Sequence, residues 1–421
     1  MSGTNSLFID ITSGSSKILP LFKEFPAGGY LEIGSSHFNL NSAVFLPNDS
    51  ERQTPDESED IFSSGIVMIE RTIHFLELTS KKLLIAGHTD TVGDPQANIT
   101  LSKYRAEGVY SILTGDRDLF KTVSNAPHIP DKGTKFNTLL NDKIQIAEWA
   151  AKEFNWTCSL KENHNDIFLA TKAFQQCYNR DIDKINPGGE LLSVDGDWGP
   201  KTWGAVFDSY QAKLAQRLTI PSKKLNEYRS KLNLSSKFVF PSKHFIACGE
   251  NHPIDRPGAD ETLSAKNRRV EMIFFDDGPA PEISCISGEC DGTDCGLFGP
   301  LQEIRGKVIT AAWQHPLVLA SHAEKRNMIV HHAGADPGST VTFTVYQVCD
   351  GEIKTVPEPV TTIVTAGFAI AEFNELSDKV HSLLSPKEGQ IFYSYFFIAK
   401  SDKWMTVSAR LHSEFDGALH E

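Results

Sequence analysis

Residues 82–106, KLLIAGHTDTVGDPQANITLSKYRA, run from an apolar strand through a polar loop into a helix. Leu83, Leu84, Ile85 and Ala86 make the stretch Lys82 to Gly87 read as a strand buried in a sheet. His88, Thr89 and Asp90 then stand where that strand leaves the sheet, the place where ligands usually dock in α/β layers. Fifteen positions beyond Asp90 comes Arg105, on a helix opened by Ser102 or a neighbour. A carboxylate and a guanidinium can therefore face one crevice from two different elements.

Upstream, Phe62, Ile66, Ile69, Ile73 and Leu76 are spaced by four, three, four and three, which places them on one face of a helix. Ahead of that helix, HFNLNSAVFLP (residues 37–47) alternates at Phe38, Leu40, Val44 and Leu46, which predicts a strand ended by Pro47. The order strand, helix, strand, helix over residues 37–115 predicts an α/β sandwich, a mixed sheet with helices on one face. Two shorter β-like runs, Leu7 to Ile11 and Tyr30 to Ile33, read as an N-terminal arm over residues 1–36.

The segments that could complete the sheet come late, at Lys243 to Cys248 and Arg269 to Phe275, within residues 241–276. Between them and the first part, residues 116–240 are rich in Trp, Asn and charge, as expected of a small helical domain inserted in a surface loop. Helices are predicted around Ile144 to Ala151, over Ile167 to Tyr178 and over Thr202 to Leu214. The last follows the turn DGDWGP and carries Trp203, Val206, Phe207, Tyr210 and Leu214 on one stripe. Residues 277–300, rich in Gly, Pro, Asp and Cys, read as a linker. From 301 to 421 the period becomes two, in Thr340 to Val348, Thr361 to Val364, Gln390 to Ala399 and Met405 to Leu411, which predicts an immunoglobulin-like β-sandwich. The expected class is thus a multidomain α+β chain.

A chain of 421 residues suggests roughly two to four domains. Lys and Arg number 41 against 54 Asp and Glu, a formal charge of -13, which argues against nucleic acid or an anionic membrane held by bulk electrostatics. The first thirty residues lack a basic start followed by an unbroken apolar core, so no secretory signal is expected, and no stretch is long and apolar enough to span a bilayer. Seven cysteines, an odd number, leave at least one free thiol and the redox compartment open.

The segment GHTDTVGDPQANITLSKYRA resembles the signature of the OmpA-like C-terminal peptidoglycan-binding domain, with Asp90, Gly93, Asn98, Leu101, Ser102, Arg105 and Ala106 at the family's offsets. The later segments CGENHPI and KNRRVE, which include Gly249, Glu250, Pro253, Asn267, Arg268, Arg269, Val270 and Glu271, resemble that family's closing strands. The likeness covers residues 37–115 and 241–276. In the insert, KAFQQCYN and VDGDWGPKTWGAVFDSYQ resemble, in a single copy, the helical peptidoglycan-binding domain found beside many cell-wall hydrolases.

The first resemblance implies binding of the diaminopimelate of the wall peptide, whose side chain ends in an ammonium and a carboxylate. By motif position Asp90 accepts from the ammonium and the planar fork of Arg105 meets the carboxylate. Thr89, Leu101 and Ser102 are expected to offer hydroxyl or backbone donors near the helix start. Asn98 either touches ligand or satisfies backbone at the turn. Of Arg268 and Arg269 one points to the site, with Arg268 preferred. Phe38 matches the family's Phe-Asp pair, but Asn39 stands where the Asp is expected. On spacing alone, the simpler reading is that Asp90 and Arg105 pair with each other and tie strand to helix. Trp203 is expected in the helical core, with Trp198 either core or sugar-stacking.

No catalytic residue, metal or cofactor is expected. His88 has no second ligand at metal spacing, and Cys285, Cys290 and Cys295 lack a clear fourth. His331 and His332 beside Asp336 are the least implausible catalytic cluster, in a context that suggests a surface loop. Three functions compete: non-catalytic attachment to peptidoglycan, with an attached β domain or a protein assembly as cargo; a wall hydrolase or toxin targeted by these modules; and a component or cargo of a contractile injection system. All three place the protein at a bacterial periplasm or cell wall.

Overall fold

The computed structural model describes residues 30–33, 38–47, 65–126, 138–156, 166–253, 255–256, 258–264, 267–275, 277, 309–314, 325–332, 337–349, 352–374, 394–401, 405–408 and 411–412. The expectations for Leu7 to Ile11, for Phe62 and for the cysteines at 285, 290 and 295 lie outside them. The described chain is mixed α and β and forms two compact units. One runs from Tyr30 to Asp277, the other from Ile309 to His412, with the four residues Arg217–Ile220 grouped with the second.

The first unit is built on a four-stranded mixed sheet of order β1-β4-β2-β3, formed by β1 (Tyr30–Ile33), β2 (Lys82–Gly87), β3 (Phe245–Ala247) and β4 (Val270–Phe275). β2 pairs parallel with β3 and antiparallel with β4, and β1 pairs antiparallel with β4. Being central, β2 has apolar side chains on both faces, with Leu83, Leu84, Ile85 and Ala86 fully buried. α1 (Gly65–Leu78) and α2 (Pro95–Thr114) both reach one face of this sheet. On that face Phe75 of α1 packs on Phe274 at 4.4 Å, Thr72 Oγ1 donates to the sulfur of Met272, and Gly87 meets Ser102 of α2.

Two sequence expectations are corrected. Residues 38–47 are not a strand but a buried irregular segment, in which Ser42 N–H donates to the Asn39 carbonyl and Asn41 adopts φ 55. Phe38, Val44, Phe45 and Leu46 are buried there, so burial of a coil produced the apparent alternation. The first strand of the sheet is instead β1, the run read as part of an N-terminal arm.

Between α2 and β3 the chain forms α3 (Arg117–Ser124), α4 (Thr138–Glu153), α5 (Ile167–Ile185), α6 (Pro200–Arg217) and α7 (Leu225–Leu232). Their core is aromatic: Trp149 meets Tyr210 at 5.1 Å, Phe174 meets Trp198 at 5.2 Å and Trp198 meets Trp203 at 5.6 Å. Both Trp198 and Trp203 are buried, which places Trp198 in the core with its neighbour. This core does not stand apart from the sheet, because Tyr210 OH donates to the Phe45 carbonyl at 2.9 Å and Phe45 packs edge-on against its ring.

The second unit holds two antiparallel sheets. One has the order β10-β6-β5, from β5 (Ile309–Gln314), β6 (Lys325–His332) and β10 (Phe368–Asn374). The other has the order β12-β11-β7-β8, from β7 (Thr340–Cys349), β8 (Glu352–Thr355), β11 (Ser394–Lys400) and β12 (Met405–Val407). β9 (Val360–Ile363) also pairs with β7, and β13 (Leu411–His412) with β11. Residues from both sheets share one core, where Trp313 of β5 meets Phe397 of β11 at 4.9 Å. His331 and His332 end β6 inside a ladder and not on a loop.

Candidate functional site

The end of β2 delivers His88, Thr89 and Asp90 into the first unit's interior, where Asp90 is 4% exposed. Its partner is Arg268, just before β4, with Nη1 3.0 Å from Asp90 Oδ2. β4 runs antiparallel beside β2, so the approach to β4 lies next to the exit from β2. The neighbouring Arg269 turns the other way, to Glu271 at 2.6 Å and to the carbonyls of Asn267 and His252. Alternation before a strand separates the two arginines as the pleat requires.

Arg105 is fully buried and does not hydrogen-bond Asp90. Its Nε donates to the Ser42 carbonyl at 2.9 Å, Nη1 to the His88 carbonyl at 3.1 Å and Nη2 to the Asn39 carbonyl at 3.4 Å. The ring of Phe38 lies beneath the guanidinium, 5.3 Å from its carbon. Burial lowers the guanidinium to about 9 and the like charge of Arg268 adds to this, while Asp90 and Asp142 oppose it. The simple strand-to-helix ion pair is thus absent: each charge is held by other groups, and the two remain within electrostatic reach.

The remaining expected contacts are redistributed. α2 begins at Pro95 with Asp94 as its N-cap, the Asp94 carboxylate accepting from Ala97 N–H at 2.9 Å. Leu101 and Ser102 therefore lie well inside the helix and offer nothing at its start. Ser102 Oγ donates to the Ile99 carbonyl and accepts from Gly249 N–H at 2.9 Å, so it fastens α2 to the turn after β3. Leu101 is buried. Asn98 satisfies the loop, donating to the carbonyls of Asp90 and Val92 and, at 2.5 Å, to Glu250. Thr89 Oγ1 is buried without a hydrogen-bond partner, one of the groups in the cluster able to receive a ligand donor.

Sequence reasoning missed the contribution of α4. Asp142, fully buried, accepts from Asn39 Nδ2 and from Ser42 Oγ, each at 2.6 Å. It reaches the site from 103 positions beyond Asn39, and no local pattern marks it. Near Asp90 the rim is acidic: burial raises the carboxyl of Glu250, and Asp260, Glu261 and Asp90 raise it further against the opposing bond from Asn98.

A second polar knot lies among the helices. Asp208 accepts from Arg117, from Tyr178 OH and from Asn186, a set of bonds that joins α3, α5 and α6. Among the described residues no group of three or more metal-ligating side chains converges, and no helix is long and apolar enough to cross a membrane.

No family model matches the chain, and no curated protein does. Among solved structures, dimeric latent PorU from Porphyromonas gingivalis is similar at 17% identity and a TM-score of 0.17, over 36% of this chain and 14% of its own. The chain matches well under two thirds of that protein, and so slight a likeness carries no argument.

Proposed function

We propose that this chain binds bacterial peptidoglycan without catalysis, taking the diaminopimelate of the stem peptide between Asp90 and Arg105 of an OmpA-like module. The observation that carries the reading is that these opposite charges, from two elements, share one buried cluster without pairing with each other. A zwitterion could then add an ammonium beside Asp90 and a carboxylate beside Arg105, each charge meeting its complement. Arg268 holds Asp90 in place, and the acidic rim of Glu250, Asp260 and Glu261 favours approach of the ammonium. The sheet order β1-β4-β2-β3 with two helices on one face accords with such a module.

We read the second unit, with its strand orders β5-β6-β10 and β12-β11-β7-β8, as an immunoglobulin-like sandwich that the wall module anchors, alone or in an assembly such as a contractile injection system. Cys177 is disulfide-bonded, which accords with an oxidising compartment such as the bacterial envelope.

The test is sedimentation with purified sacculi. Asp90→Asn and Arg105→Lys, which keep size but spoil one end of the clamp, should each weaken binding about tenfold or more, since charged hydrogen bonds contribute roughly 1.5–3 kcal/mol. Undiminished binding by both variants, melting as wild type, would sink the reading.

A further inference from the structure

Arg105 is inaccessible in this structure, and α4 reaches its side of the cluster through Asp142, which bonds the two residues whose carbonyls Arg105 holds. Asp142 and Gln145 sit nearly one turn apart on that helix, both against Asn39. Asn39 Nδ2 gives one hydrogen to Asp142 Oδ1 at 2.6 Å and one to Gln145 Oε1 at 3.0 Å, while Ser42 Oγ donates to Asp142 Oδ2 at 2.6 Å. Each oxygen of a single carboxylate thus receives a short bond from a different neutral donor, which is how a receptor holds a carboxylate. Arg105 organises the two donors from behind, since it binds the carbonyls of the same two residues, Asn39 and Ser42. An amide at position 39 is what this arrangement needs. An aspartate there would set two carboxylates against each other at hydrogen-bond distance.

We propose that Asn39, Ser42 and Arg105 form a carboxylate seat that the chain's own Asp142 fills, so that α4 competes with an external carboxylate for it. The identity of the external ligand rests on the wall-peptide reading; the seat and its internal occupant do not. Vacating the seat requires α4 to open only at its start. Asp142 is the fifth residue of α4, whereas the helix is anchored further along by Ile146, Ala147, Trp149 and Ala150, all buried. Fraying of the first turn and a half would release the carboxylate and leave the aromatic contact of Trp149 with Tyr210 intact, and helix ends open far more readily than packed cores. An incoming carboxylate would replace one of equal charge, so the exchange leaves the buried charge balance unaltered.

The experiment uses the full chain, wild type and Asp142→Asn, titrated with free meso-diaminopimelate by calorimetry, with amide hydrogen exchange followed along α4. Removing the internal competitor should tighten binding roughly tenfold, because the apparent affinity of a site rises with its vacant fraction. In the wild type, diaminopimelate should speed exchange at 142–145 and leave 146–153 protected. Equal or weaker binding by an Asp142→Asn protein that melts as wild type overturns the proposal. If neither protein binds diaminopimelate, the wall-peptide reading fails and exchange alone decides the seat. Asp142→Asn, and Asn39→Asp by repulsion, must then loosen 142–145 selectively, and unaltered exchange in both overturns it.

Discussion

Replacing Arg268 with alanine should cost the fold about 3 kcal/mol. The Arg268 and Asp90 side chains are 7% and 5% exposed with their charged atoms 3.0 Å apart, so truncation leaves a carboxylate in a site with little water. Breaking a buried pair from one side costs about 3–5 kcal/mol, against about 0.2–1 kcal/mol for an exposed pair. One effect offsets part of the loss. Arg268 repels Arg105, and Arg105 remains to attract Asp90, which brings the expectation to the lower end of the range. Urea unfolding of Asp90→Asn, Arg268→Gln and the double variant completes a cycle that should give a coupling of about 2 kcal/mol or more. A cost for Arg268→Ala no larger than that of an exposed pair, or strictly additive single variants, would refute the buried-pair account.

Gly87→Ala should be among the most damaging small substitutions. Its Cβ would fall 2.0 Å from the Ser102 carbonyl oxygen, a backbone atom of the helix packed on β2, and a cost above about 3 kcal/mol should appear as a large drop in melting temperature. Ser102→Ala removes the acceptor of the buried Gly249 N–H and should cost about 1–3 kcal/mol in denaturant unfolding, while Ser102→Gly would add backbone entropy to the same loss. Burial, then Asp260, Glu261 and Asp90, hold the Glu250 carboxyl above the ordinary glutamate range. A carboxyl raised on folding binds its proton more tightly in the folded state, so its contribution is present at low pH and is lost as pH rises through the raised value. Glu250→Gln should flatten the melting temperature against pH just above the ordinary glutamate range; an unchanged profile counts against this account.

The strand Lys82–Gly87 is legible to the residue because a central strand carries apolar side chains on both faces and ends where the loop turns polar. The start of α2 was misplaced, because Ser102 is a good cap residue by type, whereas the helix is capped by Asp94 and begins at Pro95. Residues 38–47 mislead because hydrophobic alternation reports burial, and a coil can be buried when side chains satisfy its backbone. Here Arg105 binds the carbonyls of Asn39 and Ser42, and Ser42 Oγ accepts from Val44 N–H. In the helical segment α4, α5 and α6 were legible, but not the short α3 and α7, nor the segment's union with the sheet, which depends on contacts such as Tyr210 with Phe45 across 165 positions.

By itself the sequence determined that Asp90 and Arg105 arise at the end of one strand and on the helix that follows, since both belong to a single strand, loop and helix of 25 residues. Only the tertiary structure decided what each charge is held by. Asp90 takes Arg268 from 178 positions away, and the seat beside Arg105 takes Asp142 from a helix of the inserted segment. Partners in a buried cluster are selected by distance and by the cost of leaving a charge without one, and neither quantity is written in the spacing of neighbouring residues.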